Sequence, residues 1–168
     1  MKIIKLSSNI TVYHGTTSDF SNFSSSYTRS QMGIHFGTLS QAKAVVKEAY
    51  ENAEPFRIIE AKINISNPLL LNDLGSWYGE NVVKMVNKKI GTNLHPSSSD
   101  DTIRNAIKKK GYDSVVYENQ FEGDGLSYIV FDESNISYAL SRLSMLGWIG
   151  FEKSGSTVIL DLIREHGV

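Results

Sequence analysis

The sequence predicts a single domain of the α+β class, and three observations support that prediction. The chain has 168 residues, a length that suits one domain rather than two. Short segments with the two-residue alternation of strands are mixed with short segments of helical period, without the regular strand–helix alternation of a parallel α/β fold. Hydrophobic residues make up 40% of the chain and charged residues 21%, which is typical of a globular domain with a packed core.

The composition excludes several classes of function. Cysteine is absent, which excludes disulfides, thiolate zinc sites and cysteine nucleophiles. Lys and Arg number 17 and Asp and Glu number 18, so the net charge of −1 gives no global attraction to nucleic acids or acidic membranes. No apolar run approaches the roughly 20 residues of a membrane span, and residues 1–10 are too polar for a signal peptide. We therefore expect a cytoplasmic protein without a membrane partner, acting in the cell that makes it or in the cytoplasm of a host.

The first quarter of the chain predicts two strands and a helix, with a long loop between the strands. Residues 10–14 alternate between apolar and polar types and end at Gly15, which is typical of a half-buried strand. Residues 16–31 are polar and have no helical period, and loops of this length are often functional. Residues 32–36 predict a second short strand, and Ser40 is expected to cap the helix that follows.

The middle of the chain predicts a central strand and two helices. Residues 56–65 alternate between apolar and polar side chains, and Pro68 is expected to end this strand because proline lacks the N–H of a sheet ladder. Residues 82–91 predict an amphipathic helix that ends at a glycine. A further helix is expected to begin at Asp101 or Thr102.

The remaining elements define the predicted domain boundary. Residues 112–117 and 127–132 predict two strands joined by a loop that contains glycines. A helix is expected over residues 136–145. We interpret residues 1–138 as one domain and residues 139–168 as a C-terminal extension packed on that same domain.

The first candidate functional motif is Tyr13-His14-Gly15-Thr16, at the end of the first strand. A histidine followed by a glycine places an imidazole beside backbone that another molecule can approach closely, since glycine has no Cβ. The backbone groups of Gly15 could then pair with a planar amide. Alone, the motif is more typical of a solvent-facing histidine and a turn glycine, because His-Gly is a common dipeptide.

Two further motifs lie on later strands. Gly33 and Gly37 bracket His35 and Phe36, which suggests a tight wall for a flat ligand, although a buried strand with turn glycines would look the same. The last predicted hairpin carries Glu122 and Asp124 among the glycines of its loop, followed by Ser127 at the start of the next strand. An ordinary hairpin loop with solvated acids is the alternative for this segment.

Taken together, these motifs resemble the ADP-ribosyltransferase fold in their order and spacing over residues 11–137. The similar branch is that of diphtheria-toxin-like enzymes and poly(ADP-ribose) polymerases, and within it the small modules of bacteriophages, mobile elements and bacterial toxins. The resemblance implies split, curved antiparallel sheets with short flanking helices, and NAD as the substrate. We expect no metal, because the four histidines show no spacing typical of metal ligands and the chain has no cysteine.

The resemblance also assigns roles to individual residues. His14 would bond a ribose hydroxyl, Gly15 the nicotinamide carboxamide, and His35 would stand where the family often has a tyrosine. Arg29, in the loop over the substrate, would bind the pyrophosphate through a bidentate fork. The residues expected to contact NAD are Tyr13, His14, Gly15, Thr16, Arg29, Gly33, Phe36 and Ser40.

One position departs from the polymerase branch. That branch has a glutamate just before the Tyr-Ile-Val segment, where this chain has Ser127. Small phage-type modules are similar to this chain in carrying a small polar residue there, with an Asn and a Glu-Gly upstream, as at Asn119 and Glu122. The catalytic residues expected are therefore His14, His35, Glu122 and Ser127, with Glu122 supplying the negative charge.

The expected function is that of a mono-ADP-ribosyltransferase acting on a macromolecule, as a toxin or as an effector in conflict between phage and host. The acceptor stays open between protein and nucleic acid, and an inhibitor or antitoxin protein is a further expected partner. One alternative is a catalytically dead module that binds NAD or a partner protein. Another is a related enzyme, either an NAD glycohydrolase or a transferase that removes a phosphate from RNA.

Overall fold

The computed structural model describes residues 9–20, 22–24 and 32–137. The predicted extension, residues 139–168, lies outside the described residues. The strands are β1 (Ile10–Thr16), β2 (Ile34–Phe36), β3 (Arg57–Ile63), β4 (Pro68–Leu70), β5 (Ser114–Glu118), β6 (Leu126–Val130) and β7 (Ile136–Ser137). The helices are α1 (Leu39–Val45), α2 (Lys47–Glu51), α3 (Glu80–Ile90), α4 (Asp100–Lys109) and a 3₁₀ turn (Glu133–Asn135).

The strands form two sheets that are joined at one point. One sheet has the strand order β1-β3-β7 and the other has the order β2-β6-β5-β4. Every pairing is antiparallel except that of β4 with β5, which is parallel. The sheets meet where Tyr13 and Gly37 exchange two backbone hydrogen bonds of 2.9 Å each. The prediction of an α+β fold with split, largely antiparallel sheets and short helices is confirmed.

The four-stranded sheet is buried on both faces, which explains why β5 is almost continuously apolar. Val115 and Ile129 pack with the apolar faces of α3 and α4, whereas Val116 and Val130 pack with side chains of the three-stranded sheet. Burial of this kind stabilises the fold in proportion to the apolar area removed from water. Within the described residues, no helix is long and apolar enough to cross a membrane.

The N-cap of α1 is Thr38, so the prediction of Ser40 at this position is wrong. The Thr38 hydroxyl accepts a hydrogen bond from the Gln41 N–H at 3.2 Å, and the Gln41 side chain accepts one from the Thr38 N–H at 2.9 Å. Such a capping box needs Glu or Gln three residues after the cap, and Ser40 has Lys43 at that distance. The helix is also interrupted at Val46, after which α2 begins.

Other element boundaries also differ from those predicted, among them the following three. Ser99, rather than Asp101 or Thr102, caps α4, and the acidic residues instead occupy the first turn, where the helix dipole favours them. Pro68 begins β4, because a proline is tolerated at the first residue of an edge strand. Ile136–Ser137 forms β7 against β3, so the helix predicted to start there is wrong at its first two residues.

Asp113 connects the turn before β4 to the start of β5. One carboxylate oxygen accepts hydrogen bonds from the Ser66 N–H at 2.6 Å, the Ser66 hydroxyl at 2.8 Å and the Asn67 N–H at 3.0 Å. The other accepts one from the Ser114 hydroxyl at 2.8 Å. Burial acts to raise the pKa of Asp113, but these hydrogen bonds outweigh it and lower the pKa below its ordinary value.

Replacing Asp113 with Asn should lower the free energy of unfolding by about 1–2 kcal/mol at neutral pH, since the amide loses the charge and one acceptor oxygen. The stabilisation should be complete above the ordinary pKa of 3.8 and be lost as the pH falls through the lower folded value. Urea denaturation at several pH values measures both effects. The matched variant Asp124→Asn, on an exposed loop, should change neither, and equal losses in the two variants would contradict the assignment.

Candidate active site

A cleft of about 400 Å³ opens beside the junction of the two sheets. It is lined by β1, β2, α1 and two loop segments, residues 73–78 and 119–122, together with Tyr117 from β5. Pockets of this size are typical of small-molecule sites. The cleft exists because β1 and β2 pair only at Tyr13 and Gly37 and separate beyond that point.

The backbone edges of both strands face this opening. Tyr13 directs its N–H and C=O at Gly37 rather than at β3. Because backbone groups alternate in direction along an antiparallel strand, Gly15 also directs its N–H and C=O away from β3, toward the cleft. By the same alternation His35 directs its backbone groups toward β1. The cleft therefore offers a donor and an acceptor on Gly15, as expected for recognition of a planar amide.

His14 crosses the gap between the separated strands. Its Nδ1 lies 2.7 Å from the carbonyl oxygen of His35. A carbonyl can only accept, so Nδ1 carries the proton and Nε2 is the acceptor nitrogen of the neutral ring. The rings of Phe23, Phe36 and Phe20 surround the imidazole in edge contacts, with centroids 5.3, 5.8 and 6.2 Å away. The orientation of the ring is thus determined by one hydrogen bond and three aromatic contacts.

These surroundings keep His14 neutral at pH 7. Burial lowers the pKa of His14 below its ordinary value of 6.5, the bond to the His35 carbonyl acts in the opposite direction, and the charge of Arg57 lowers it further. A neutral imidazole whose Nε2 accepts a hydrogen bond matches a hydroxyl donor on a ligand.

Position 15 must be a glycine because helix α1 packs directly against it. A Cβ at this position would collide with the carbonyl oxygen of Ala42 in α1. The sequence argument that glycine leaves room for a ligand therefore needs correction, because helix α1 occupies the space that a side chain would take. What a ligand can reach is the backbone edge of Gly15.

Ser127 does not line the cleft and belongs to a chain of buried polar groups. It is 3% exposed and donates from its hydroxyl to Oε1 of Gln41 at 3.0 Å. Nδ2 of Asn119 donates to the Ser127 hydroxyl at 3.0 Å and to the Glu122 carboxylate at 2.9 Å. Position 127 therefore holds a neutral residue, and the carboxylates that border the cleft are those of Glu122 and Asp73.

Glu122 is exposed, but its loop has a definite conformation. Oδ1 of Asn119 accepts hydrogen bonds from the N–H groups of Phe121 at 2.9 Å and Glu122 at 2.8 Å. On the other side, Oδ2 of Asp73 accepts one from the Gln120 N–H at 2.8 Å. The predicted acid is thus directed by a buried asparagine and anchored to a second loop.

Tyr117 and Trp77 form an aromatic wall below Glu122. Their ring centroids are 4.3 Å apart. Burial raises the pKa of Tyr117 to about 12, its hydrogen bonds with Ser127 and Trp77 act in the opposite direction, and the nearby carboxylates of Glu122 and Asp73 raise it further. Tyr117 consequently keeps its proton at all physiological pH values and acts as a neutral hydroxyl.

Gln41 was not predicted as a site residue, yet it lines the cleft and is 2% exposed. A signal for it was present in the sequence, because Thr38 and Gln41 have the spacing of a capping box. That pattern identifies the helix start. The second hydrogen-bond partner of Gln41 Oε1 is Ser127, which lies 86 positions away in the sequence and could not be foreseen from local spacing.

The other predicted site residues divide into three groups. Tyr13, His35 and Phe36 line the cleft with His14, Gly15 and Glu122. Thr16, Gly33 and Ser40 lie elsewhere: the Thr16 hydroxyl accepts from the Ser18 N–H at 3.0 Å, Gly33 packs against Val130 of β6, and Ser40 is exposed on α1. Arg29 lies outside the described residues.

The arginines that the structure describes are engaged away from the cleft. Arg57 donates to the carbonyl oxygens of Ser18 at 2.8 Å and Phe20 at 3.1 Å. Arg104 pairs with Asp101 on α4. Among the described residues, no group of three or more His, Asp or Glu side chains is arranged to hold a metal ion.

Comparison with known proteins gives one family and no individual relative. Residues 8–143 match the family described as ADP-ribosyltransferase in polyvalent proteins. Comparison with curated proteins and with solved structures gave no significant match. The matched segment contains every described cleft residue.

The lowered pKa of His14 should make the fold sensitive to acid. Because the folded-state pKa lies below the unfolded value of 6.5, the unfolded chain binds more protons below that pH and stability falls. We expect the His14→Gln variant to lose less stability than the wild type between about pH 7 and pH 5.

NMR titration of the histidine ring protons measures the pKa directly, with His14→Gln identifying the resonance. The variant His95→Gln, at an exposed position, identifies the ring resonance of a second histidine so that the two are not confused. A midpoint for His14 at or above 6.5 would contradict the burial argument.

Proposed function

The chain belongs to the ADP-ribosyltransferases of polyvalent proteins, and we propose that it cleaves NAD and transfers ADP-ribose to a macromolecular acceptor. The family uses NAD as its substrate. The observation that carries the proposal is that His14, the backbone edge of Gly15 and the Glu122 carboxylate border one cleft. We further propose single-unit transfer to a protein or a nucleic acid, as expected of an effector that modifies a target in the cytoplasm.

His14 and Gly15 would bind the nicotinamide nucleoside. The N–H and C=O of Gly15 offer a donor and an acceptor side by side, which is the pattern complementary to a carboxamide. Nε2 of the neutral His14 would accept a hydrogen bond from a ribose hydroxyl. Since the His14 ring is held by the His35 carbonyl and by three phenylalanines, it would reach the substrate already oriented.

Glu122 would stabilise the transition state. The bond between ribose C1′ and the nicotinamide nitrogen breaks with both electrons passing to the ring, which leaves as neutral nicotinamide. The ribose becomes oxocarbenium-like, and a carboxylate on the cleft wall stabilises that developing charge. The acceptor then forms a bond to C1′ and releases its proton. Gly15 would therefore act on the nicotinamide end of the scissile bond, and His14 and Glu122 on its ribose end.

The test is nicotinamide release from NAD by the full chain. We expect His14→Ala and Glu122→Gln each to reduce the rate by about 10²–10³. Asp124→Asn is the matched control, because this residue lies in the same loop but does not line the cleft. Equal rates for wild type and both site variants would refute the proposal, as would a comparable loss in Asp124→Asn.

A second candidate function is supported by the buried position of Ser127. This residue cannot supply charge, and its hydroxyl is occupied by Gln41 and Asn119. A chain with this feature could bind NAD or a partner without turnover. Isothermal titration of NAD separates the two functions: stoichiometric binding without any nicotinamide release would favour the binding module, and release above the Glu122→Gln level would exclude it.

A further inference from the structure

We propose that Gln41 is a positioning residue that holds the loop carrying Glu122 in its active arrangement by means of its side-chain amide. We call residues 119–125 the acid loop. This inference rests on the proposed function, since it assigns the acid to Glu122. It goes further by naming the group, on a different element, that determines where this acid lies.

The acceptor end of the Gln41 amide is used within the fold. Oε1 accepts from the Thr38 N–H at 2.9 Å and from the Ser127 hydroxyl at 3.0 Å. The first bond belongs to the capping box of α1, and the second reaches the beginning of β6. One oxygen therefore ties the start of a helix to the strand that follows the acid loop.

The donor end of the same amide is used on the acid loop. Nε2 donates to the carbonyl oxygen of Gly123 at 2.9 Å, and it lies 3.3 Å from those of Asp124 and Gly125. Three consecutive carbonyls thus converge on one nitrogen that carries two protons. Gly123 and Gly125 both have positive φ angles, 121° and 113°, which turn the backbone toward Gln41.

From Gln41, a continuous chain of hydrogen bonds leads to Glu122. Ser127 connects Gln41 to Asn119, and Asn119 donates to the Glu122 carboxylate. Asn119 is itself buried at 5% exposure and closes the acid loop by its N–H bond to the Gly125 carbonyl at 2.9 Å. Displacement of Gln41 would therefore affect Glu122 by two routes, through the loop backbone and through Ser127.

Helix α1 also shapes the opposite side of the cleft. Ala42, the residue after Gln41, packs directly on Gly15 of β1. Neighbouring residues of one helix thus contact the proposed nicotinamide-binding backbone and the acid loop. Helix α1 thereby links the position of the Gly15 backbone to that of the acid loop, and reaction rates are very sensitive to the relative placement of such groups.

Two substitutions separate the functions of the amide. Gln41→Glu keeps the oxygen that completes the capping box, and glutamate is equally suited to that position. It replaces the donor by a second acceptor, which faces the three loop carbonyls. Gln41→Met keeps the size of the side chain and removes both the acceptor oxygen and the donor nitrogen of the amide. Ser99→Ala, which removes the cap of the distant helix α4, is the matched control for a loss of stability alone.

We expect the kcat for nicotinamide release to fall about 10- to 100-fold in both Gln41 variants at pH 8, with the Kd for NAD changed less than about threefold. Protonation of the buried carboxyl would restore an O–H donor. The activity of Gln41→Glu relative to wild type should therefore rise as the pH is lowered, whereas that of Gln41→Met should not. Ser99→Ala should keep wild-type kcat.

Amide hydrogen exchange tests the inference independently of turnover. The N–H groups of Asn119 and Glu122 should exchange faster in both Gln41 variants and at the wild-type rate in Ser99→Ala. Unchanged exchange, or a kcat within twofold of wild type, would overturn the role of Gln41. If the wild type released no nicotinamide, the proposed function would fail, and the exchange measurement would still decide whether Gln41 holds the loop.

Discussion

The two backbone hydrogen bonds between Tyr13 and Gly37 are the contact on which the cleft depends. They join the two sheets at a single residue pair, and the strands separate immediately afterwards. A longer ladder would use the backbone groups of Gly15 and His35, and no ligand could reach them. The His14 side chain bonds the His35 carbonyl across the gap, so the opening is stabilised without being closed.

The second organising feature is the buried polar chain from Thr38 through Gln41, Ser127 and Asn119 to Glu122. Burial of amides and hydroxyls is costly unless each finds a partner. In the described residues no buried side-chain nitrogen or oxygen lacks one. A glutamate at position 127 would place a buried charge in this series of hydrogen bonds. The neighbouring side chains are neutral and already satisfy one another's hydrogen-bonding groups. A carboxylate is better accommodated on the exposed loop, where Glu122 accepts a hydrogen bond from Asn119.

Much of the fold follows from local patterns. The alternation in β3, the apolar run in β5 and the glycine that ends α3 are visible in the sequence, and each is formed as predicted. The errors lie where a local pattern competes with another signal. Ser40 is a good capping residue in isolation, but Thr38 has the reciprocal partner three residues later. The sequence predicts that Pro68 ends the preceding strand, but that strand ends at Ile63, and Pro68 instead begins β4, for which β5 offers a parallel neighbour.

The candidate site likewise has a part that could be predicted from the sequence and a part that only the tertiary structure shows. His14, Gly15, His35, Phe36 and Glu122 could be selected from short motifs, since the chemistry of each residue type and its neighbours is contained in a few positions of sequence. Long-range contacts decide what those motifs cannot: Ala42 occupies the space beside Gly15, the His35 carbonyl selects the tautomer of His14, and Gln41 reaches across 86 positions to Ser127. Hydrogen bonding and steric exclusion depend on the distance between atoms in space and not on their separation in the sequence. Only the tertiary structure therefore shows which of these contacts form.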